Sequence, residues 1–249
     1  MPQTLHPIGL LGGMSWESSV LYYQQLNQYV RANVGGLHSA PLTLDSVDFA
    51  QMAQWLSRGD WAEISVALQN RAKVLEASGA QCIALCTNTM HKVFDEIATS
   101  VNVPMLHIAT PTIAALQAAG LTKVAFLGTR YSMEDGFLDA YFNERGIRLM
   151  MPDLAGRDAV HSIIFDELVC GVVTDTSRVI YQRVIADLVE QGAQAVVLGC
   201  TEICLLLSNG DVAVPMFDTA SLHIQALGAF TVDGIFPSNP IDSNTSNTD

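Results

Sequence analysis

The chain has 249 residues, of which 49% are hydrophobic and 15% are charged, and its formal net charge is −13. This composition predicts a folded globular protein of one large or two modest domains and excludes a disordered chain. Its 12 Lys and Arg residues are scattered, which argues against nucleic acid and anionic membranes as partners. The N-terminal segment lacks a charged signal region, and no apolar run approaches the roughly 18 residues of a membrane span, so we expect a cytoplasmic protein.

The first half of the chain alternates apolar runs of strand length with longer segments of helical period, a pattern typical of parallel βα units. The run IGLL at 8–11 ends in two glycines before a predicted helix at 16–30. An amphipathic segment at 61–78 leads into GAQCIALCTNT at 79–89, and the tripeptide Val-Pro-Met follows at 103–105. The first half is therefore predicted to form a parallel α/β unit.

The second half repeats these landmarks in the same order. VAFLG at 124–128 leads into a predicted helix at 133–145, and an amphipathic segment at 176–191 precedes GAQAVVLGCTE at 192–202, which aligns without gaps on GAQCIALCTNT. Val-Pro-Met recurs at 214–216. The three separations are 116, 113 and 111 residues, which indicates an internal repeat.

The repeat predicts an α/β fold of two pseudo-symmetric domains, each a mainly parallel sheet of four or five strands flanked by helices. We expect residues 1–107 plus 218–236 to form the first domain and residues 108–217 the second. The polar, proline-containing segment at 237–249 is predicted to be disordered. Because ligands in such sheets bind beyond the carboxyl ends of strands, the active site is expected in the cleft between the domains.

The repeat also selects the residue at each strand end. Thr87 and Cys200 are the ninth residues of the two aligned segments, whereas Cys86 aligns with Gly199. Because side chains alternate along a strand, Cys86 and Thr87 should point to different faces. We therefore expect Thr87 and Cys200 to face one shared cleft and Cys86 to be a packing residue.

The chemistry of the two positions differs. Cys200 lies where an apolar strand turns into a predicted helix at 202–207, and backbone N–H groups there can stabilise a thiolate. Thr201 is placed to cap that helix or to hold a substrate carboxylate. Thr87 carries a neutral hydroxyl, which is a poor base unless another group relays its proton. The structural alternatives are an inert buried cysteine and a threonine that caps the following helix.

The five cysteines lie at 82, 86, 170, 200 and 204 without a secretory signal, so we expect free thiols. A metal site is disfavoured because Cys82 and Cys86, four residues apart on a strand, are too distant to share one ion. Cys204 is expected in an apolar helix stripe. The glycines near residue 12 do not form a dinucleotide motif, and no lysine lies in a pyridoxal phosphate motif, so no cofactor is predicted.

At these positions the sequence resembles the aspartate/glutamate racemase family, in particular its bacterial L-aspartate/glutamate-specific and broad-specificity members. The resemblance runs along nearly the whole chain. It is carried by an ordered series of motifs, namely GLLGGMSWES (9–18), GLHSA (36–40), SVDF (46–49), TNTMHK (87–92), LGTRYSME (127–134), IIFDEL (163–168), LGCTEI (198–203) and FDTA (217–220).

The resemblance implies a cofactor-independent racemase in which two groups flank the substrate α-carbon. One removes the α-proton and the other protonates the opposite face. Both are usually cysteines in the family, but here Cys200 is paired with Thr87, as in the subgroup with the motif Thr-Asn-Thr-Met-His. This implies interconversion of L- and D-aspartate or glutamate, with the asymmetric pair Thr87 and Cys200 as the catalytic residues.

The resemblance also assigns residues that bind the substrate. Asn88 and Thr89 on one wall and Thr201 on the other are expected to hold the substrate carboxylate, where charge develops. Met14 and Gln51 align with positions that line the pocket. Glu202 is expected to contact the substrate ammonium, and its carboxylate is also placed to raise the pKa of Cys200.

The substrate side chain is less well defined by the sequence. An acidic side chain requires a cationic partner, and the candidates are Arg130, Lys92 and Arg157. Relatives carry a lysine in the 152–162 loop where this sequence has Ala159, which weakens strict specificity for aspartate or glutamate.

Several alternatives stay open. Broad-specificity racemases of neutral amino acids, hydantoin racemases, arylmalonate decarboxylases and maleate isomerases use related two-domain, cysteine-dependent folds. A binding protein for a small acid is the non-enzymatic alternative. A small-molecule amino-acid substrate and a homodimer, as in the family, are the expected partners.

Overall fold

The computed structural model describes residues 4–208 and 210–236, which form two similar successions of strands and helices. The elements of the first succession are β1 (Ile8–Gly12), α1 (Trp16–Val34), β2 (Leu42–Ser46), α2 (Phe49–Arg58), α3 (Trp61–Ala77), β3 (Cys82–Leu85), α4 (Phe94–Ala98) and α5 (Ala109–Ala118). Those of the second are β4 (Lys123–Gly128), α6 (Arg130–Glu134), α7 (Phe137–Asn143), β5 (Arg148–Met150), α8 (Leu154–Asp166), α9 (Asp175–Glu190), β6 (Val196–Gly199), α10 (Ile203–Leu206), β7 (Met216–Asp218) and α11 (Thr219–Asp233). Short 3-10 turns at Thr89–Val93 and Leu168–Cys170 complete them.

The strands form two parallel sheets of matching order. The first sheet has the order β2-β1-β3, and Met105 adds a parallel bridge to Ile83 of β3. The second has the order β5-β4-β6-β7, in which Met216 of β7 pairs with Val196 of β6. Ile83 and Val196 are equivalent in the sequence repeat, as are the two methionines. The fold is therefore the predicted pseudo-symmetric α/β arrangement of two parallel sheets flanked by helices.

Burial follows from the apolar runs of the sequence. All side chains of β1, β3 and β6 are buried, because helices cover both faces of each sheet. One core surrounds the second sheet, and two cores lie on the two faces of the first. The last helix, α11, returns to the first sheet, where Ile224 packs in the same core as Tyr22 and Leu26 of α1.

Two predicted helices differ from the observed ones. The segment predicted as one helix at 133–145 contains α6 and α7, because Gly136 adopts a positive φ of 75° that interrupts the helix. The helix predicted at 202–207 is only the four-residue α10. The other landmark helices, α1, α3 and α9, lie where the sequence predicts them.

The predicted boundaries between residues 1–107 plus 218–236 and residues 108–217 stay a prediction. The predicted disordered segment at 237–249 lies outside the described residues. Within the described part of the chain, no helix combines the length and the apolar character that crossing a membrane requires.

Candidate active site

A narrow cavity lies where the chain leaves the carboxyl ends of β1, β3, β4 and β6. About 40 Å³ of it is open to the centre of a water molecule. The cavity is lined by Met14, Ser15, Ser18, Phe49, Leu56, Thr87, Asn88, Thr89, Met90, Thr129, Tyr131, Ile164, Phe165, Val169, Gly199, Cys200, Thr201 and Glu202. Its walls therefore come from both halves of the repeat.

The cavity brings together most of the residues singled out in the sequence. Thr87 and Cys200 both line it, and so do Met14, Asn88, Thr89, Thr201 and Glu202. Gln51 does not, since its side chain is exposed on α2 while Phe49 and Leu56 of the same helix line the cavity. Gln51 therefore does not reach the cavity in this structure, and its expected contact with substrate stays a prediction.

Cys86, the residue before Thr87, is a core residue. It is fully buried and packs with Ile8, Tyr22 and Leu26. Burial raises the pKa of its thiol well above the usual range. The alternation inferred from the strand is confirmed, because Cys86 and Thr87 lie on different sides of the chain.

The Cys200 wall is built around the carboxylate of Glu202, a residue that is only 5% exposed. The Cys200 thiol donates to Glu202 Oε2 at 2.8 Å, and the Thr201 hydroxyl donates to the same oxygen at 2.7 Å. Ser15 and Ser18, from the start of α1, donate to Oε1 at 2.6 and 3.3 Å. Ser18 also shares a short hydrogen bond with Thr201. This wall therefore joins residues about 185 positions apart in the sequence.

Burial and the Glu202 carboxylate both raise the pKa of the Cys200 thiol. Burial raises the pKa of the thiol well above its usual range, and the charge and hydrogen bond of Glu202 raise it further. The Glu202 backbone N–H lowers the pKa by less than these effects raise it. A backbone N–H at this turn thus favours the Cys200 thiolate, as expected, but burial and the Glu202 carboxylate outweigh it and keep the thiol protonated. The expectation that Glu202 raises the pKa of Cys200 is confirmed.

Most of the acceptor capacity of Glu202 is used by neighbouring side chains. A carboxylate offers about four lone-pair sites, and Cys200 and Ser15 each donate to one of them. Ser18 and Thr201 also lie within hydrogen-bond distance of the carboxylate, but one of these two hydroxyls must use its proton in the hydrogen bond that they share. At most three of the four sites are therefore filled, which leaves one for a further donor.

The Thr87 wall has a different construction. The structure records no hydrogen bond of the Thr87 hydroxyl to any described residue, although its backbone carbonyl accepts from His91 Nδ1 at 2.8 Å. The other ring nitrogen of His91, Nε2, accepts from the backbone N–H of Ile108 at 3.0 Å. These partners fix the neutral tautomer with the proton on Nδ1. His91 thus holds the Thr87 backbone in place and is not positioned to take the hydroxyl proton.

His91 belongs to a buried group of three histidines. The ring centroids of His91 and His107 are 4.5 Å apart, and those of His91 and His223 are 6.3 Å apart. Burial, together with the neighbouring His107 and His223, lowers the pKa of His91 well below its usual range. Burial also lowers the pKa of His107 to about 3 and that of His223 to about 4. All three rings are neutral at neutral pH.

Asn88 carries a buried acceptor with no hydrogen-bond partner among the described residues, its Oδ1 atom. Its Nδ2 atom donates to Thr219 Oγ1 at 3.0 Å. Thr219 donates its own proton to the Leu198 carbonyl at 2.9 Å, so it can only accept from Asn88, which fixes the orientation of the amide. A buried acceptor without a partner is costly, and here it belongs to a residue that lines the cavity.

Thr89 forms a hydroxyl cluster at the next position along this wall. Its Oγ1 lies 3.0 Å from Thr129 Oγ1 and 3.5 Å from Ser132 Oγ. Thr129 also caps α6 by accepting from the Ser132 backbone N–H. The end of β4 is thereby joined to the end of β3 by hydroxyl groups of both halves.

Comparison with known proteins agrees with this architecture. The model of the family described as "Asp/Glu/Hydantoin racemase" matches residues 11–227. The chain belongs to this family. The resemblance inferred from the motifs is therefore confirmed.

Individual family members are similar over nearly their whole length. A "putative Asp/Glu Racemase" from Yersinia pestis is 44% identical, with a TM-score of 0.87 over 92% of this chain and 100% of that one. An aspartate racemase homologue from Pyrococcus horikoshii OT3, PH1733, is 32% identical, with a TM-score of 0.78 over 91% and 97%. The broad specificity amino-acid racemase RacX of Bacillus subtilis (strain 168) is 23% identical over 86% of this chain and 93% of its own.

In this member of the Asp/Glu/hydantoin racemase family, the described residues that line the cavity include no Lys or Arg. Each basic residue considered for an acidic substrate pairs with a carboxylate instead of lining the cavity. Lys92 contacts Asp135 at 2.7 Å, Arg130 contacts Asp158 at 2.7 Å, and Arg157 contacts Glu134 at 3.1 Å. The segment predicted as a loop at 152–162 is mostly part of α8, and its Ala159 does not line the cavity.

Sequence reasoning missed two groups of lining residues in this family member. Ser15 and Ser18 are the N-cap region of α1, and their spacing before a helical segment predicts only a cap. The apolar residues of α2, α8 and the following turn, among them Leu56 and Ile164, have the same spacing as core residues. Only the tertiary fold distinguishes a cavity wall from a core here.

Proposed function

We propose that the protein is a cofactor-independent amino-acid racemase that exchanges the α-proton of its substrate between Cys200 on one face and Thr87 on the other. Membership of the racemase family supports this reaction class. The assignment of residues is supported by one observation: Thr87 and Cys200 follow equivalent strands, β3 and β6, and line one cavity. The Cys200 thiol is also hydrogen-bonded to the buried carboxylate of Glu202.

On the Cys200 face, Glu202 is the proton acceptor for the thiol. The proton moves from Sγ to Glu202 Oε2, and the resulting thiolate removes the substrate α-proton, so that one S–H bond forms as the C–H bond breaks. The electron pair of that bond stays on the substrate and is delocalised into its carboxylate. At the end of this direction Glu202 releases the added proton to water. In the opposite direction, the Cys200 thiol donates its proton to the carbanion, and the resulting thiolate takes a proton from water.

On the Thr87 face, the hydroxyl exchanges the proton of the second side. A hydroxyl is acidic enough to protonate a carbanion, but it is a poor base without a partner. Since no hydrogen bond of this hydroxyl to a described residue is present, water is the group that resupplies or accepts its proton. This face therefore makes the slower proton transfer.

The polar groups around the cavity divide the substrate between them. Asn88 Oδ1 is a buried acceptor without a partner among the described residues, so it binds the substrate ammonium in preference to Glu202, which already accepts from Cys200 and Ser15. The substrate carboxylate lies against the hydroxyls of Thr89 and Thr201 and the backbone amides of the strand ends, where negative charge develops in the transition state. This exchanges the role expected for Asn88 with the role expected for Glu202.

Aspartate and glutamate are the substrates that the sequence motifs favour, and the Yersinia and Pyrococcus relatives carry related names. A neutral amino acid is the second candidate. It is favoured by the lining of the cavity, which includes no Lys or Arg among the described residues. Both candidates use the same two proton-transfer groups.

The test is α-proton exchange by the intact protein in heavy water, followed by mass spectrometry and chiral separation for a panel of L- and D-amino acids. We expect deuterium at the α-carbon and formation of the other enantiomer. Because free enantiomers have equal energies, kcat/KM should be equal in the two directions. A protein that only binds a small acid would give binding without deuterium uptake, which would overturn the proposal.

The Cys200→Ala variant tests the residue assignment. General acid–base groups contribute about 10²- to 10⁴-fold, so we expect kcat to fall by about 10³-fold or more. Cys170→Ala is the matched control, since Cys170 is exposed and lies outside the cavity lining. Full activity of Cys200→Ala would show that the assignment is wrong.

A further inference from the structure

The cavity has two kinds of wall. Most of its polar atoms come from the loops that follow the strands, including Thr87, Asn88 and Thr201, and Ser18 of α1 and Tyr131 of α6 add two hydroxyls. Its apolar side chains come from helices and turns, namely Phe49 and Leu56 of α2, Ile164 and Phe165 of α8, and Val169 after α8. A substrate whose ammonium and carboxylate bind the strand ends must direct its side chain towards the apolar wall.

The charges at the cavity also oppose an acidic side chain. Among the described residues that line the cavity, Glu202 is the only one with a charged side chain. An aspartate or glutamate would therefore bring a second carboxylate into the cavity. A carboxylate buried without a cation costs several kcal/mol. Arg157 and Lys92, the less exposed of the three basic candidates, would have to leave Glu134 and Asp135 to neutralise it.

His161 does not supply the missing positive charge. Its ring lies 4.7 Å from that of Phe165 and 6.1 Å from that of Tyr131, both of which line the cavity. Burial and the nearby Arg130 lower its pKa, although Asp166, Asp158 and Glu134 act in the opposite direction. The His161 ring is therefore neutral at neutral pH.

We propose that the preferred substrate is an amino acid with an uncharged, apolar side chain that packs against Phe49, Leu56, Ile164, Phe165 and Val169. This inference rests on the proposed racemase function and names its substrate class. Burial of a branched aliphatic side chain against such a wall stabilises the complex in proportion to the apolar area removed from water. Aspartate has a similar branched shape but gains an unpaired charge instead.

The first test compares substrates of similar shape in the wild-type protein. L-Leucine, L-asparagine and L-aspartate share branching at the γ-carbon and differ in polarity and charge. L-Methionine, L-glutamine and L-glutamate form a second series. We expect kcat/KM for α-deuterium exchange to decrease in this order in each series, with the apolar member at least about 100-fold above the acidic one.

The outcomes separate this inference from the proposed function. Exchange that is fastest with aspartate or glutamate overturns the apolar substrate class and leaves the racemase proposal intact. Absence of exchange with every amino acid overturns the racemase proposal itself. Exchange that is fastest with asparagine or glutamine also contradicts the apolar wall as the specificity determinant.

A substitution tests the wall directly. Val169 is half-buried and lines the cavity, so Val169→Lys places an ammonium at the apolar wall. We expect the ratio of kcat/KM for aspartate to that for leucine to rise at least about tenfold. The control is Val172→Lys, because Val172 is 46% exposed and lies outside the lining. Equal ratios in both variants would overturn the role of this wall in specificity.

Discussion

The ends of β3 and β6 occupy equivalent positions of the repeat but present different chemistry. Cys200 at the end of β6 contacts a buried carboxylate, which itself accepts from Thr201, Ser15 and Ser18. Thr87 at the end of β3 has a hydroxyl with no recorded hydrogen bond to a described residue, and its backbone is held by His91. The fold thus equips one end for proton transfer and fixes the geometry of the other.

This difference indicates that pseudo-symmetry of a backbone does not require symmetry of function. The parallel sheets fix where two side chains meet, because equivalent strands end at equivalent depths. The acid–base properties come from equivalent positions at which the two halves carry different residues, such as Glu202, whose counterpart in the aligned segment is Thr89. Each prediction below changes one end and leaves the other intact.

After Cys200→Ala, the largest effect in this comparison is expected from Glu202→Gln, which keeps the shape of the side chain but removes the proton acceptor of Cys200. We expect kcat to fall by about 10²- to 10³-fold, with a smaller change in KM. The pKa of the Cys200 thiol should also fall, because the negative charge that raises it is gone. Thiolate absorbance as a function of pH, with Cys200→Ala as the background, measures this shift.

Glu190→Gln is the control for that variant, since Glu190 is exposed at the end of α9 and does not line the cavity. It should leave both kcat and the thiol titration unchanged. If Glu202→Gln retained the wild-type kcat, Glu202 would not be the proton acceptor. A thiol pKa that did not change would contradict the charge interaction.

A smaller effect is expected at the other strand end. Thr87→Val removes the hydroxyl and keeps the branched shape, so we expect kcat to fall by about 10²-fold, the lower end of the range for an acid–base group. Thr87→Ser should retain most of the activity. Cys86→Ala is the neighbouring control and should change kcat by less than about twofold, because Cys86 packs in the core. Equal activity of Thr87→Val and wild type would exclude the hydroxyl from the proton transfer.

The sequence predicted the arrangement of this site better than its chemistry. The internal repeat located Thr87 and Cys200 because strand alternation and parallel register leave few choices for a residue at a strand end. The register pairs Ile83 with Met105 and Val196 with Met216, as the repeat of Val-Pro-Met indicates. Local patterns were sufficient here because they describe the same periodic backbone.

What the sequence did not predict depends on contacts between distant segments. The hydrogen bonds from Ser15 and Ser18 to Glu202 span more than 180 residues, and nothing in their local pattern distinguishes them from a helix cap. The helical period of α2 likewise allows either face to meet the cavity, and the fold buries Met52 and Leu56 while leaving Gln51 exposed. Tertiary packing decides which face becomes a wall.

The smallest effect on turnover is expected from a lower pH, which should reduce the free energy of unfolding through the histidines near Thr87. His91, His107 and His223 are neutral when buried, and their pKa values are lowered in the folded protein. The unfolded chain binds protons below a pH of about 6.5, so the stability that these neutral histidines contribute is complete above that range and is lost as the pH falls towards their folded pKa values. Each histidine should cost about 1 kcal/mol of unfolding free energy between pH 8 and pH 6.

Urea unfolding at several pH values measures this dependence. We expect His223→Gln to reduce the slope of unfolding free energy against pH by about one third, even if the variant is less stable at every pH. His38→Gln is the control, since His38 is exposed and should leave the slope unchanged. A free energy that is constant between pH 8 and pH 6 would contradict the neutral histidine group. Because protonation accompanies unfolding, the activity of each folded molecule should stay constant over this range. This separates the histidine group, in which His91 holds the Thr87 backbone, from the carboxylate that raises the pKa of Cys200.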